Sequence, residues 1–431
     1  MRKQIRKYLS LAVLILFIGV ASLSAQETNI NNSVVSFKKQ ELMSGVVFDV
    51  SKEREELLTD ETRFDETRTL LNAKFRYGNQ YWNLLDYKQE QINYAVEIGA
   101  LGGYGDWIDS SFVANTDADQ NFYGIRTSAS INYSNRIYYD PKSYTLITVN
   151  GWGRFDVYQQ NLKGTSVDSL GVVTDLDDSN LENRFRYGFQ TKVGWGAGRL
   201  SPMNHLMTAH YLLEKYYPGR IFSDFEIAQF AQLIANIKHN RDVKTGRTYD
   251  KEMLQVVDYI KTTLMLASPE AMEAEWQFSE FDPRFEGSRF ELGPFFKYYN
   301  REPDFVYGGF IQYDNARYKN VNWNRNLSIK LNYNRYKKQD WMLAEVMLGW
   351  SYYSRLKSQF DFGVKYVPAI EINGFEDVGS LSHNFVPYMS WFSQLNSKSR
   401  IRMDFSWRFA DSDQFVLPGP EFSMAIYRSR Y

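Results

Sequence analysis

The chain has 431 residues, of which 16% are Phe, Trp or Tyr and 23% are charged, with no Cys and a formal net charge of −1. The missing cysteine excludes disulfides, thiolate chemistry and a Cys-linked lipid anchor, and the near-neutral balance argues against nucleic acid as a partner. So polar a composition also excludes a helical membrane protein, whereas a transmembrane β-barrel meets lipid with only every second strand residue.

Residues 1–7 are basic, 9–20 are apolar, and Ala21-Ser22-Leu23-Ser24-Ala25-Gln26 supplies the small residues of a cleavage site after Ala25. This is the pattern of a secretory signal over residues 1–25. Its apolar core of about a dozen residues is short of the roughly 20 that a membrane helix needs.

Beyond it, apolar residues return at every second position. Residues 34–50 have strand composition, and 51–66 are acidic and read as a loop. Phe75 and Tyr77 then alternate with Lys74 and Arg76, Tyr94–Ile98 with Asn93 and Glu97, and Tyr123–Tyr133 with Arg126 and its polar neighbours. Residues 144–160 form a longer, less regular strand. Phe185, Tyr187, Phe189 and Val193 alternate with Arg184, Arg186 and Lys192. A period of two puts the two sets on opposite faces of a strand.

Between about Pro202 and Trp276 the period becomes helical. His205, Leu206, Ala209, Leu212 and Leu213 mark a first helix, ended by Pro218-Gly219. Ser223 caps a second, with Ile227, Phe230, Ala231, Ile234 and Ile237 on one face. Met253, Val256, Val257, Ile260 and Leu264 mark a third, and Pro269 opens a further short segment. Eight strands then follow to the C-terminus, most legibly at 323–333 and 400–409.

The expected organisation is a signal over 1–25, the first half of a barrel over 26–199, an α-helical insert over 200–280, periplasmic or luminal, and the second half of the barrel over 281–431. Closure follows from lipid, which tolerates no unpaired sheet edge. A single-chain barrel has an even number of strands, so the expected fold is an all-β transmembrane, antiparallel up-and-down barrel of about 14 strands, with 12 as the fallback. Long outer loops are expected at 51–66, 104–118, 161–180, 373–381 and 412–418. The insert leaves and re-enters on the periplasmic side.

The last strand ends on Tyr431 with Tyr427 in phase, while Ser423, Ala425 and Ser429 stand where the terminal signal for barrel insertion prefers larger apolar residues. With this ending, the Ala25-Gln26 cleavage site and the Tyr- and Asn-rich strands, the mature chain resembles Gram-negative outer-membrane β-barrels, in the style of Bacteroidota examples. Gly194-Trp195-Gly196-Ala197-Gly198-Arg199-Leu200 looks like a junction of barrels with helical inserts. The resemblance implies the cell outer membrane, contact with its lipid, and recognition of the last strand by the barrel-assembly machinery.

The face opposite the apolar residues carries Lys74, Arg76, Glu97, Arg126, Arg184, Arg186, Lys192, Arg289, Glu291, Lys297, Lys330, Glu345, Asp361, Lys365, Arg402, Asp404 and Arg408. These are expected to line the lumen. They either leave it water-filled and mildly anion-preferring, or neutralise one another and hold it plugged. His205 and His210 lie five apart, off the spacing of a helical metal pair. His383 lies near Ser382 and Ser390, but Phe385 occupies the position two residues on that a barrel phospholipase fills with Ser. No catalytic residue, metal or cofactor is therefore expected. The leading expectation is a channel or exporter passing a solute or polymer, with the insert as gate, plug or docking site for a periplasmic protein. A non-conducting scaffold or assembly protein comes second, and a lipid-acting enzyme third.

Overall fold

The computed structural model describes residues 36–431 except 59–61, 112–113, 242, 244–248, 268–271, 302–303, 338, 374–376, 379–380 and 412–416. The signal sequence expected over 1–25 lies outside the described residues. The alternating stretches form β1 (Phe37–Leu58), β2 (Thr62–Leu84), β3 (Lys88–Ser111), β4 (Ala114–Tyr138), β5 (Ser143–Asp168) and β6 (Val173–Pro202). Helices α1 (Asn204–Tyr216), α2 (Asp224–His239), α3 (Tyr249–Thr262) and α4 (Met272–Trp276) follow. The chain then returns to strand in β7 (Phe285–Tyr299), β8 (Phe305–Asn320), β9 (Trp323–Tyr336), β10 (Gln339–Ser354), β11 (Ser358–Tyr366), β12 (Ala369–Asn373), β13 (Asp377–Val378), β14 (Asn384–Gln394), β15 (Ser399–Ala410) and β16 (Gly419–Arg430).

Neighbouring strands pair antiparallel, and β16 pairs with β1. β10 pairs with both β11 and β12, which are two pieces of one wall strand interrupted at Val367-Pro368. Proline has no N–H to give to a ladder. β13 pairs only with β12, over two residues. The wall is thus a closed antiparallel barrel of 14 strands.

Its outer face is apolar. Val46, Phe48, Phe75, Ile98, Ile125, Phe185, Phe296, Trp407 and Ile426 are all exposed, and they share a face on their strands while the residues between them point inward. A continuous exterior of this kind suits lipid and not water. Among the described residues no helix is long and apolar enough to cross a membrane; the strands do so. The closed wall and apolar exterior are those of a transmembrane β-barrel.

The wall is uneven in height. β1 has 22 residues and β6 has 30, whereas β7 has 15 and β10 has 16. About 9–11 residues cross a bilayer, so β1–β6 continue well past it. Here the structure corrects the expected outer loops at 51–66, 104–118 and 161–180. They are strand almost throughout, with Glu53 opposite Arg68, Asp109 opposite Thr116 and Lys163 opposite Asp177. Beyond lipid both faces are polar, so the alternation that marks a strand disappears while the pairing continues. Ion pairs such as Arg54–Asp65 at 2.6 Å suit the polar side chains to these positions. The loops expected at 373–381 and 412–418 fall largely on residues outside those described.

The helices form their own core, in which Leu212, Phe230, Ile234, Val256, Ile260, Met272 and Trp276 are buried. α2 begins with a capping box: the Ser223 hydroxyl accepts from the Glu226 N–H at 3.3 Å, and the Glu226 carboxylate accepts from the Ser223 N–H at 2.9 Å. Ser223→Ala is expected to lower the stability of the insert by about 1 kcal/mol, read as a lower denaturant midpoint of the helical circular-dichroism signal. The core continues onto Tyr353, Leu356 and Phe392 where β10 ends and β14 ends, with Phe281 edge-on to Tyr353 at 5.5 Å. The insert therefore packs into one mouth of the barrel.

Candidate functional site

Inner-face side chains fill much of the lumen beside β1–β6. Lys74 lies between Asp49 at 2.7 Å and Glu97 at 3.1 Å, and Arg76 reaches Glu97 at 3.6 Å. Higher up, pairs cross the lumen. Arg154 on β5 meets Glu53 on β1 at 3.0 Å, and Arg186 on β6 reaches the same carboxylate at 3.7 Å. Arg126 is held on Asp156 at 2.8 Å. Arg184 on β6 bonds Glu66 on β2 at 2.8 Å, and the same carboxylate accepts from Arg68 at 2.6 Å. Arg68 also donates to the Tyr158 hydroxyl at 2.8 Å and stacks on Phe122. Since β1 and β5, like β2 and β6, are separated by three strands, these contacts join strands that are not neighbours in the wall.

On the other side, Arg289 bonds Asp314 at 2.9 Å, and Glu291 accepts from Arg136 at 2.6 Å and from the Tyr144 hydroxyl at 2.9 Å. Lys330 meets Glu345 at 2.9 Å, Arg402 meets Asp404 at 3.0 Å, and Arg408 meets Glu421 at 2.8 Å. Asp361 accepts from Gln359 at 2.8 Å. Lys192, Lys297 and Lys365 instead lie over the rings of Phe310, Phe295 and Tyr388. Sequence reasoning missed Glu53, Glu66, Arg68 and Asp156. The first two fell in a stretch read as loop, although Glu66 is in phase with Arg68, Leu70 and Asn72.

A cavity of about 650 Å³ occupies the lumen beside the shorter strands. Its walls include Asp49 and Ser51 on β1, Asn326 on β9, Ser351 on β10, Asp361 and Lys365 on β11, Tyr388 on β14, and Ser406 and Glu421 near the outer ends of β15 and β16. Tyr388 lies over the cross-strand pair Gly349 and Gly363, and a Cβ at Gly363 would come within 2.7 Å of its hydroxyl. The floor is Pro283-Arg284-Phe285, where the insert rejoins the wall. Arg284 donates to the Val321 carbonyl at 2.8 Å and to Asn324 at 2.7 Å, stacks on Tyr353, and donates its backbone N–H to Asn204 of α1 at 2.7 Å. One residue thus ties the insert, the β8–β9 turn and the floor together.

His205 on α1 is buried, stacked on Phe37 of β1 and edge-on to His239, with both ring nitrogens lacking a hydrogen-bond partner. Burial, reinforced by Lys238, His239 and Arg241 and opposed by Glu280, holds it well below the usual value of 6.5. The unfolded chain therefore binds a proton that the folded insert refuses. Stability from this group is complete above about pH 6.5 and falls below it, by up to about 1.4 kcal/mol per pH unit. His239 is lowered too, chiefly by burial, and works in the same direction. His205→Phe is expected to flatten the acid side of a plot of insert melting temperature against pH. An unchanged slope would place the acid sensitivity elsewhere.

His383 bonds the Tyr366 hydroxyl at 2.7 Å, Ser382 bonds Asp411 at 2.8 Å, and Ser390 bonds Asp404 at 2.5 Å. The structure brings none of these serines onto the His383 ring.

No protein-family model and no curated protein matches the chain. Among solved structures it is similar to the translocator domain of the autotransporter NalP from Neisseria meningitidis, at 9% identity over 100% of this chain and 98% of that one, with a TM-score of 0.28. It is also similar to the toluene transporter TodX of P. putida, at 9% identity over 91% and 89% with a TM-score of 0.33. A third is the outer membrane protease OmpT from Escherichia coli, at 9% over 93% and 97% with a TM-score of 0.28. Likenesses this distant carry no argument about activity, and the fold rests on the strand register.

Proposed function

We propose that this protein is a gated passage for a small polar solute across the outer membrane, drawn here in its closed state, with the helical insert as the periplasmic gate. The observation that carries the reading is the cavity beside β9–β16. It runs from the outer ends of β15 and β16 down to a floor made by the insert's own return segment. Its lining sets hydroxyl, amide, carboxylate and cationic groups beside apolar ones such as Met347 and Trp350, which suits a solute with several polar groups. The lumen-lining charges would set the field along this path, and most of them are already matched by a partner.

A second reading has its own support. The ion pairs that cross the lumen from β1 and β2 to β5 and β6 suit a barrel closed for good, serving as a scaffold. One experiment separates the two. Pro202 and Phe285 are direct neighbours in the β6–β7 register, so residues 203–284 can be replaced by an Asn-Gly turn. In planar bilayers the intact protein is expected to be closed and the shortened one to form a stable pore. If both fold and neither conducts, the gate reading fails and the scaffold reading stands.

A further inference from the structure

The unequal strand lengths leave a free sheet edge outside the membrane. β6 pairs with β5 from Val173 to Ala197, but with β7 only from Gly188 downward. Among the described residues, no strand lies against residues 173–187 on the β7 side. The ladder sets which backbone groups face that side. The Val172 carbonyl accepts from the Asp168 N–H of β5, so even-numbered residues of β6 turn to β5 and odd-numbered ones turn away. Asn300 confirms the parity at the lower end. Its backbone N–H donates to the Tyr187 carbonyl, its side chain accepts from the Tyr187 N–H at 2.8 Å, and its amide donates to the Phe185 carbonyl at 2.8 Å. That one residue stands in for a strand. Higher up, the Ser179 N–H is met only by the Asp178 side chain beside it. Asp175, Asp177, Leu181 and Asn183 turn their backbone groups to solvent.

The edge has a charge. Asp175, Asp177, Asp178 and Glu182 fall within residues 173–183, which contain no Lys or Arg; Lys163 on β5 lies 3.9 Å from Asp177, and Arg184 follows at the lower end of the stretch. Charge on an edge strand opposes pairing with a copy of itself, because acid would face acid. The same charge favours a strand carrying Lys or Arg at alternate positions. We propose that the outer edge of β6 takes up an extended, basic polypeptide segment by strand addition. The proposal does not depend on whether the lumen conducts.

The test uses the full-length protein in zwitterionic nanodiscs and a fluorescent peptide of about ten residues alternating Val and Lys, with Glu in place of Lys as its control, followed by anisotropy. The Lys peptide is expected to bind at least about tenfold more tightly than the Glu peptide, and more weakly as salt rises. Asn183→Pro removes an edge N–H and spares the β5 ladder; it is expected to weaken the Lys peptide about tenfold or more. Asp175→Lys with Asp177→Lys should reverse the preference between the peptides, which keeps the test decisive if the proline variant folds poorly. Equal binding of both peptides, undiminished binding to Asn183→Pro, or no binding at about millimolar peptide would each overturn the proposal. So would self-association of the intact protein that Asn183→Pro abolishes, since a second copy would then own the edge.

Discussion

Glu66→Ala is expected to cost the barrel about 3–5 kcal/mol, the loss usual when one member of a buried charge network is removed. The Glu66 side chain is 1% exposed and sits between two guanidiniums, those of Arg68 on its own strand and Arg184 across the lumen. Deleting the carboxylate leaves two like charges at close quarters in a site shaped by Leu70, Leu101, Phe122 and Tyr158. Arg68 keeps its bond to the Tyr158 hydroxyl, which offsets only part of the loss. Unfolding in urea from lipid vesicles, followed by tryptophan fluorescence, measures the effect. A loss under about 1 kcal/mol for Glu66→Ala would mean that water reaches the site and screens it.

The second large effect is expected at Trp276. Its ring is fully buried at the centre of the helical insert, with the Lys238 ammonium 5.5 Å from the ring centroid. Its indole N–H donates to Glu252 at 2.8 Å, and that carboxylate also takes two bonds from Arg241. Trp276→Ala removes the largest side chain of a small core and should destabilise the insert by about 3–5 kcal/mol. The barrel has its own ladder and should keep its strand content. Hydrogen exchange is expected to show α1–α3 losing protection while β1–β16 keep theirs. Loss of protection in both would show that the insert and the wall unfold as one unit. On the gate reading, the same variant should also leak in planar bilayers.

Sequence by itself determined the class of fold, the two faces of each membrane-crossing strand and the place of the helical insert. All three depend on local periodicity: two residues on a pleated strand, 3.6 on a helix. The Ser223 cap was legible for the same reason, since its partner Glu226 is three residues away. The charged set from Lys74 to Arg408 could be listed because it alternates with an apolar face. Where lipid ends, that constraint ends. Residues 51–66, 104–118 and 161–180 are polar on both faces, and nothing in their pattern separates strand from loop. Only the tertiary structure decided that they pair on beyond the membrane, that Glu53 and Glu66 reach across to Arg154 and Arg184, and that Arg284 pins the insert to the floor of a cavity. The cross-lumen pairs and the contacts of Arg284 depend on partners about 40 to more than 100 positions away, brought close by the fold. The free edge of β6 is non-local as well, since it exists only because β7 is half as long as the strand it follows.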